Sequence, residues 1–174
     1  MSDILIKYDR SPSLPDMSGL IDSIEIINSG DLDLKHHIPK SKITSKFLTI
    51  RPHDFDNKSS NIIKASPFFK SNFLNITKSL TLQDCCFDNE SFATERWGTD
   101  SIFRNIKYLN INGHNCRYVP QDLETILKLT PYLKEVYFEY DTAPFNIDLL
   151  KTILKYKNIN KIEYARRWQI RDIK

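Results

Sequence analysis

The sequence predicts an α/β solenoid, a short curved stack with parallel strands on its concave face and helices on its convex face. Three observations predict it. Apolar residues recur at offsets 0, +3 and +5 in three stretches: Ile106, Leu109, Ile111; Leu133, Val136, Phe138; and Ile159, Ile162, Tyr164. Those starts lie 27 and 26 residues apart. Between them, Leu123, Ile126 and Leu127 in "PQDLETILKL", and Ile147, Leu150 and Leu154 in "FNIDLLKTILKY", fall on one helix face each. The step of two from +3 to +5 suits a strand whose alternate side chains point inward, and the helical stretch returns the chain outside it. A lone unit cannot bury its apolar face, whereas stacked units can.

The elements follow in order along one domain of 174 residues, a length that supports a single sizeable core. Residues 1–51 hold degenerate N-terminal repeats: Ile4 and Ile6 in "ILIKY", then Ile21, Ile24 and Ile26, then Leu48 and Ile50. Residues 52–72 form an irregular loop insertion, with Asp54 to Ser60 exposed and Ile62, Ile63, Phe68 and Phe69 packed beneath. The best-formed repeats occupy 73–167, where "SLTLQDCCF" supplies Leu80 and Leu82 and places Cys85 at offset +8. Pro120 opens a helix, Pro131 ends it, and Asn146 caps the next. Residues 168–174 are a basic C-terminal tail.

A period of 20 to 30 residues around this apolar core is the mark of a leucine-rich repeat. "LETILKLTPYLKEVYFEYD" resembles the repeat of F-box/leucine-rich-repeat proteins: a helix ending in Pro, an apolar strand, then Cys or Asn, carried here by Cys85 and Asn115. The resemblance covers residues 76–167 well and 1–60 loosely. It implies an adaptor or substrate-recognition module linked to ubiquitin ligation, in cytoplasm or nucleus. The chain departs from the family where Asp141 and Arg167 replace Cys or Asn at the turn, and repeat lengths are uneven. No F-box is found, because "SLPDMSGLIDSIEII" fits the strand template better. Recruitment of a ligase core by the standard route is therefore not expected.

Offsets +2, +4 and +6 of each strand point to the concave face. Near the middle they give Tyr108, Asn110, Asn112, Glu135, Tyr137 and Glu139, the candidate partner-binding residues. Tyrosines flanked by hydrogen-bonding groups are typical of protein-binding hot spots, so a protein partner is expected there. Charge supplies the alternative. The net charge is +3, yet residues 151–174 carry eight Lys/Arg against Glu163 and Asp172. The body is thus mildly acidic and the C-terminal end basic. Lys161, Arg166, Arg167 and Arg171 are candidate anion-binding residues for an RNA- or ribonucleoprotein-binding module, with Trp168 able to stack on a base. The competing reading of the tail is a cap, in which Trp168 and Ile170 cover the last repeat's core.

Other classes find little support. Only four Gly occur, without a phosphate loop. His36, His37, His53 and His114 have no zinc-ligand spacing, and nothing in the sequence pairs a base with Cys85, Cys86 or Cys116. The expectation is no enzyme, no metal, no cofactor and no small-molecule substrate. The odd, partly adjacent cysteines suit a reducing compartment. No apolar run is long enough to cross a bilayer, and the first residues lack a signal-peptide core. A cytoplasmic or nuclear protein is expected.

Overall fold

The structure, a computed structural model, describes residues 3–7, 19–28, 42–52, 62–63, 74–84, 86–87, 97, 101–112, 120–140 and 147–166. Nine strands and two helices fall within them: β1 (Asp3–Lys7), β2 (Gly19–Asn28), β3 (Ile43–Pro52), β4 (Ile62–Ile63), β5 (Leu74–Gln83), β6 (Cys86–Phe87), β7 (Tyr108–Asn112), α1 (Pro120–Leu129), β8 (Glu135–Tyr140), α2 (Ile147–Ile153) and β9 (Lys161–Arg166). Seven strands form one sheet in the order β1-β2-β3-β5-β7-β8-β9. Every pairing is parallel, and the order simply follows the chain. The fold is α/β.

The apolar template is visible residue by residue in the register. Ile24, Leu48, Leu80, Leu109, Val136 and Ile162 stand in one row across six strands, and Ile4 joins it from β1. Ile6, Ile26, Ile50, Leu82, Ile111, Phe138 and Tyr164 form the second row. From Ile24 to Val136 in one row and from Ile26 to Phe138 in the other, the residues are buried in one continuous core. Each such Leu, Ile or Phe contributes roughly 1.5–3 kcal/mol by leaving water.

The offset-zero row is Ile21, Ser45 and Ile76 by register, continued by buried Ile106 and Leu133. Its member in β5 comes one residue earlier than the template, at Ile76 rather than Thr77. The register explains this: two steps in β3, from Ser45 to Phe47, face three in β5, from Ile76 to Ser79. This is a bulge, and it re-phases the strand so that Leu80 and Leu82 still point inward. Ser45 is the polar member of the row. Its hydroxyl, fully buried, donates to the carbonyls of Phe47 at 2.9 Å and Asp22 at 3.3 Å. Beyond β5 the core is filled from the connection, where Ile102 and Phe103 are buried and Trp97 meets Phe103 edge-on at 5.9 Å.

Helix α1 buries Leu123, Ile126 and Leu127, as their spacing predicts. Thr130 ends it: the buried hydroxyl donates to the carbonyls of Ile126 and Leu127 at 3.0 and 3.1 Å before Pro131 stops the chain. Helix α2 differs from expectation. Ile147 and Leu154 are 60 % and 66 % exposed, and the buried stripe is Leu149, Thr152 and Ile153, extended by Tyr156. Thr152 can occupy this stripe because its hydroxyl donates to the Asp148 carbonyl at 2.8 Å. Tyr156 then ties the two helical turns together, donating to the Glu124 carbonyl at 3.2 Å. Burial first, and the Glu124 charge second, push its phenol above the ordinary value.

Within the 52–72 insertion, Ile62–Ile63 form β4, which pairs in parallel with β6 just after β5. The insertion thus contains a short strand, where the sequence predicted only loop. Pro52 still belongs to β3, while residues 53–61 and 64–72, Asn146 and the tail beyond residue 166 lie outside the described residues. Among the described residues no helix is long and apolar enough to cross a membrane.

Candidate functional site

The sheet has a second face, opposite the core, built from offsets +2, +4 and +6. The first of its rows is Ser23, Phe47, Ser79, Tyr108, Glu135 and Lys161; the second is Glu25, Thr49, Thr81, Asn110, Tyr137 and Glu163. Both stand in register as the sequence places them. Most of these side chains are partly exposed. Ile27, at +6, is buried instead, so the face narrows toward the N-terminal strands.

All six candidate partner-binding residues are brought together in adjacent strands by register: Tyr108 beside Glu135, Asn110 beside Tyr137, and Asn112 beside Glu139. The backbone places Glu139 in the third row, while its side chain lies outside the described set. Tyr108, Asn110, Glu135, Val136, Tyr137, Lys161 and Glu163 line a shallow depression of about 120 Å³. That is below the roughly 300 Å³ at which enclosed small-molecule sites begin, and the hollow suits a protruding side chain better than a cofactor.

Hydrogen bonds stiffen this face. The Asn110 amide donates to the hydroxyls of Ser79 and Thr81, both at 3.2 Å, which fixes it flat against β5. Asn110 faces Tyr137 in the register and lies two residues from Tyr108. Ser79 and Thr81 were not singled out from the sequence; their signal was a hydroxyl in each of two rows beside an Asn.

Lys161 sits between two carboxylates, Glu163 at 3.0 Å and Glu135 at 3.7 Å. The hydrogen bond to Glu163 and then that carboxylate's charge, with Glu135 adding to both, hold the ammonium above its ordinary range. Of the four candidate anion-binding residues, Lys161 is thus neutralised by neighbours on the open face. The backbone of Arg166 pairs with Tyr140, and its side chain, with Arg167, Trp168, Ile170 and Arg171, lies outside the described residues. So do the four histidines, Cys85, Cys116 and Asn115. Cys86 is placed in β6 by its backbone alone.

Toward β2 and β3 there are cross-strand ion pairs. Lys46 meets Asp22 at 2.6 Å, and Arg51 hydrogen-bonds Glu25. Phe47, 37 % exposed, lies under the Lys78 ammonium, 5.0 Å from the ring centre. Comparisons of this chain with known proteins find no matching family model, no similar curated protein and no similar solved structure.

Proposed function

We propose that the protein is a leucine-rich-repeat solenoid that works as a non-catalytic adaptor or substrate-recognition module, gripping a protein partner on its concave face. The link to ubiquitin ligation rests on the resemblance of "LETILKLTPYLKEVYFEYD" to F-box/leucine-rich-repeat units. The observation that carries the binding reading is the strip of Tyr108, Asn110, Glu135 and Tyr137 held in register around one shallow depression. Two tyrosines offer contact area at low entropic cost, and Asn110 beside them is already held by Ser79 and Thr81. The open shape and the paired charges around Lys161 favour a surface that docks over one that encloses and transforms a substrate.

Affinity capture from cell extract, with nuclease treatment, tests the reading. Wild type is compared with Tyr108→Ala/Tyr137→Ala. A nuclease-resistant protein partner is expected with wild type, and the double substitution should weaken it at least about 30-fold, the minimum cost of losing one hot-spot residue. Binding through these rings should change little with salt. A partner retained undiminished by the double variant would sink the concave-face reading.

A further inference from the structure

The offset +1 positions carry a pattern that the adaptor reading leaves unused. Lys46, Lys78, Lys107 and Lys134 occupy neighbouring positions on β3, β5 and the segments that lead into β7 and β8. The backbone ladder fixes the alignment: Lys107 N donates to Lys78 O at 2.9 Å, and Lys134 N to Lys107 O at 2.8 Å. Lys46 lies between Ser45 and Phe47, whose partners Ile76 and Ser79 bracket Lys78. Successive strands stand about 4.8 Å apart, so the lysines form a column.

Ion pairs that join neighbouring strands of this sheet bring opposite signs together: Glu25 answers Arg51, Glu135 answers Lys161, and Asp22 answers Lys46, the first member of the column. Among the described residues the other three members have no such answer. Lys78, Lys107 and Lys134 are exposed, and among the described residues no carboxylate pairs with any of them. Like charges on facing positions of adjacent strands destabilise a sheet. A cost the rest of the sheet avoids, incurred at two successive steps, points to a ligand that offsets it.

Aromatic rings flank the column. Phe47 and Tyr108 stand in the row one position C-terminal to it, and Tyr132, 53 % exposed, two positions before Lys134. Beyond Lys78 a cavity of about 320 Å³ is lined by Lys42, Thr44, Asn75, Ser101, Arg104 and Asn105 among others, with cations and polar side chains but no carboxylate. There the Asn105 amide donates to Asn75 Oδ1 at 2.7 Å, which orients the Asn75 amide hydrogens to serve another acceptor.

We propose that the N-terminal end of these strands binds a single-stranded nucleic acid, its phosphates along Lys78, Lys107 and Lys134 and its bases against Tyr108 and Tyr132, since the Lys78 ammonium already lies over Phe47. The three lysines span about 10 Å, two strand spacings, room for two or three phosphates. An anionic membrane would need a broad basic face, whereas Glu25, Glu135 and Glu163 stand close by on the open face. An acidic peptide would make no use of the rings, and a duplex hides the base faces that stack on them. The site shares Tyr108 with the adaptor strip and otherwise stands on different residues, and it differs from the basic C-terminal end.

The test is fluorescence anisotropy with a labelled 15-nucleotide polyuridine RNA, titrated between 50 and 200 mM KCl. Three phosphate contacts predict a slope of about −2 in log K against log salt, hence roughly 20-fold weaker binding across that range. Lys107→Gln should reduce the slope by about 0.7, and Lys78→Gln/Lys107→Gln/Lys134→Gln should abolish binding at 200 mM KCl. The triple variant's fold is checked by circular dichroism; it removes repulsion and should stay folded. Failure of the RNA to bind at 50 mM, or binding that the triple variant retains, would overturn the proposal. So would equal or tighter binding to a duplex of the same length, to polyglutamate, or to phosphatidylserine vesicles. Tyr137→Ala should leave RNA binding intact while weakening the protein partner, so the two readings fail separately.

Discussion

At the scale of single residues, Lys107 decides between two explanations of the basic column. As a solvated side chain of no consequence, it could be exchanged without gain. Facing Lys78 and Lys134 across the ladder, it instead suffers repulsion on both sides. Lys107→Thr should therefore stabilise the protein by about 0.2–1 kcal/mol, with a β-branched residue also suiting the sheet. Urea denaturation would report a higher midpoint at unchanged slope. A lower midpoint would mean that Lys107 is held by an attraction and that the column has no latent cost. The column was present in the sequence, one place after each strand start. Exposed lysine is common in any sequence, and only the register shows that these positions are neighbours. The Asn–Ile step at Asn75–Ile76, Asn105–Ile106 and Asn158–Ile159 is a second such signal. Two of these Asn residues meet in a hydrogen bond, and the third donates to the Leu133 carbonyl at 2.9 Å.

At the scale of elements, strands were more legible than helices. A strand's inward residues recur at fixed offsets, and its neighbours repeat them, so a misplacement at Ile76 was confined to one bulge. A short helix offers competing apolar stripes, and α2 offered two: Ile147, Leu150, Leu154, and Leu149, Thr152, Ile153. Apolarity alone favours the first. The second wins because Thr152 satisfies its hydroxyl within the helix and because Tyr156 continues the stripe onto α1. Leu149→Ala should cost about 2–5 kcal/mol, as for other buried leucines. Leu154→Ala, on the exposed side, should stay within about 0.5 kcal/mol. Chemical denaturation of the two variants separates the stripes; equal losses would restore the first reading. The candidate binding strip was legible for the strand reason: Tyr108, Asn110, Glu135 and Tyr137 follow from the template once the inward rows are known. Its bracing by Ser79 and Thr81 was not, because a hydrogen bond between strands depends on register.

At the scale of the whole molecule, a sheet whose order follows the chain makes stability a nearest-neighbour matter. Among the described residues each inner strand pairs on both sides, and β1 and β9 pair on one. The second apolar row displays this. Ile26, Ile50, Leu82, Ile111 and Phe138 are all at most 2 % exposed, whereas Tyr164 in β9 is 39 % exposed. The template assigns Tyr164 an inward place, and the missing ingredient is a following row of apolar side chains among the described residues. Phe138→Ala opens a cavity with neighbours on both sides and should cost about 3–5 kcal/mol. Tyr164→Ala, at the same register position one strand on, starts from a partly exposed ring and should cost about 1 kcal/mol, the common value for a point substitution. Native-state hydrogen exchange adds the direction. In the Phe138 variant, protection should fall most in β8 and β9 and least in β2 and β3, because weakened coupling travels only from neighbour to neighbour. A uniform loss over all strands would instead make the molecule one cooperative block, with no room for its ends to open separately.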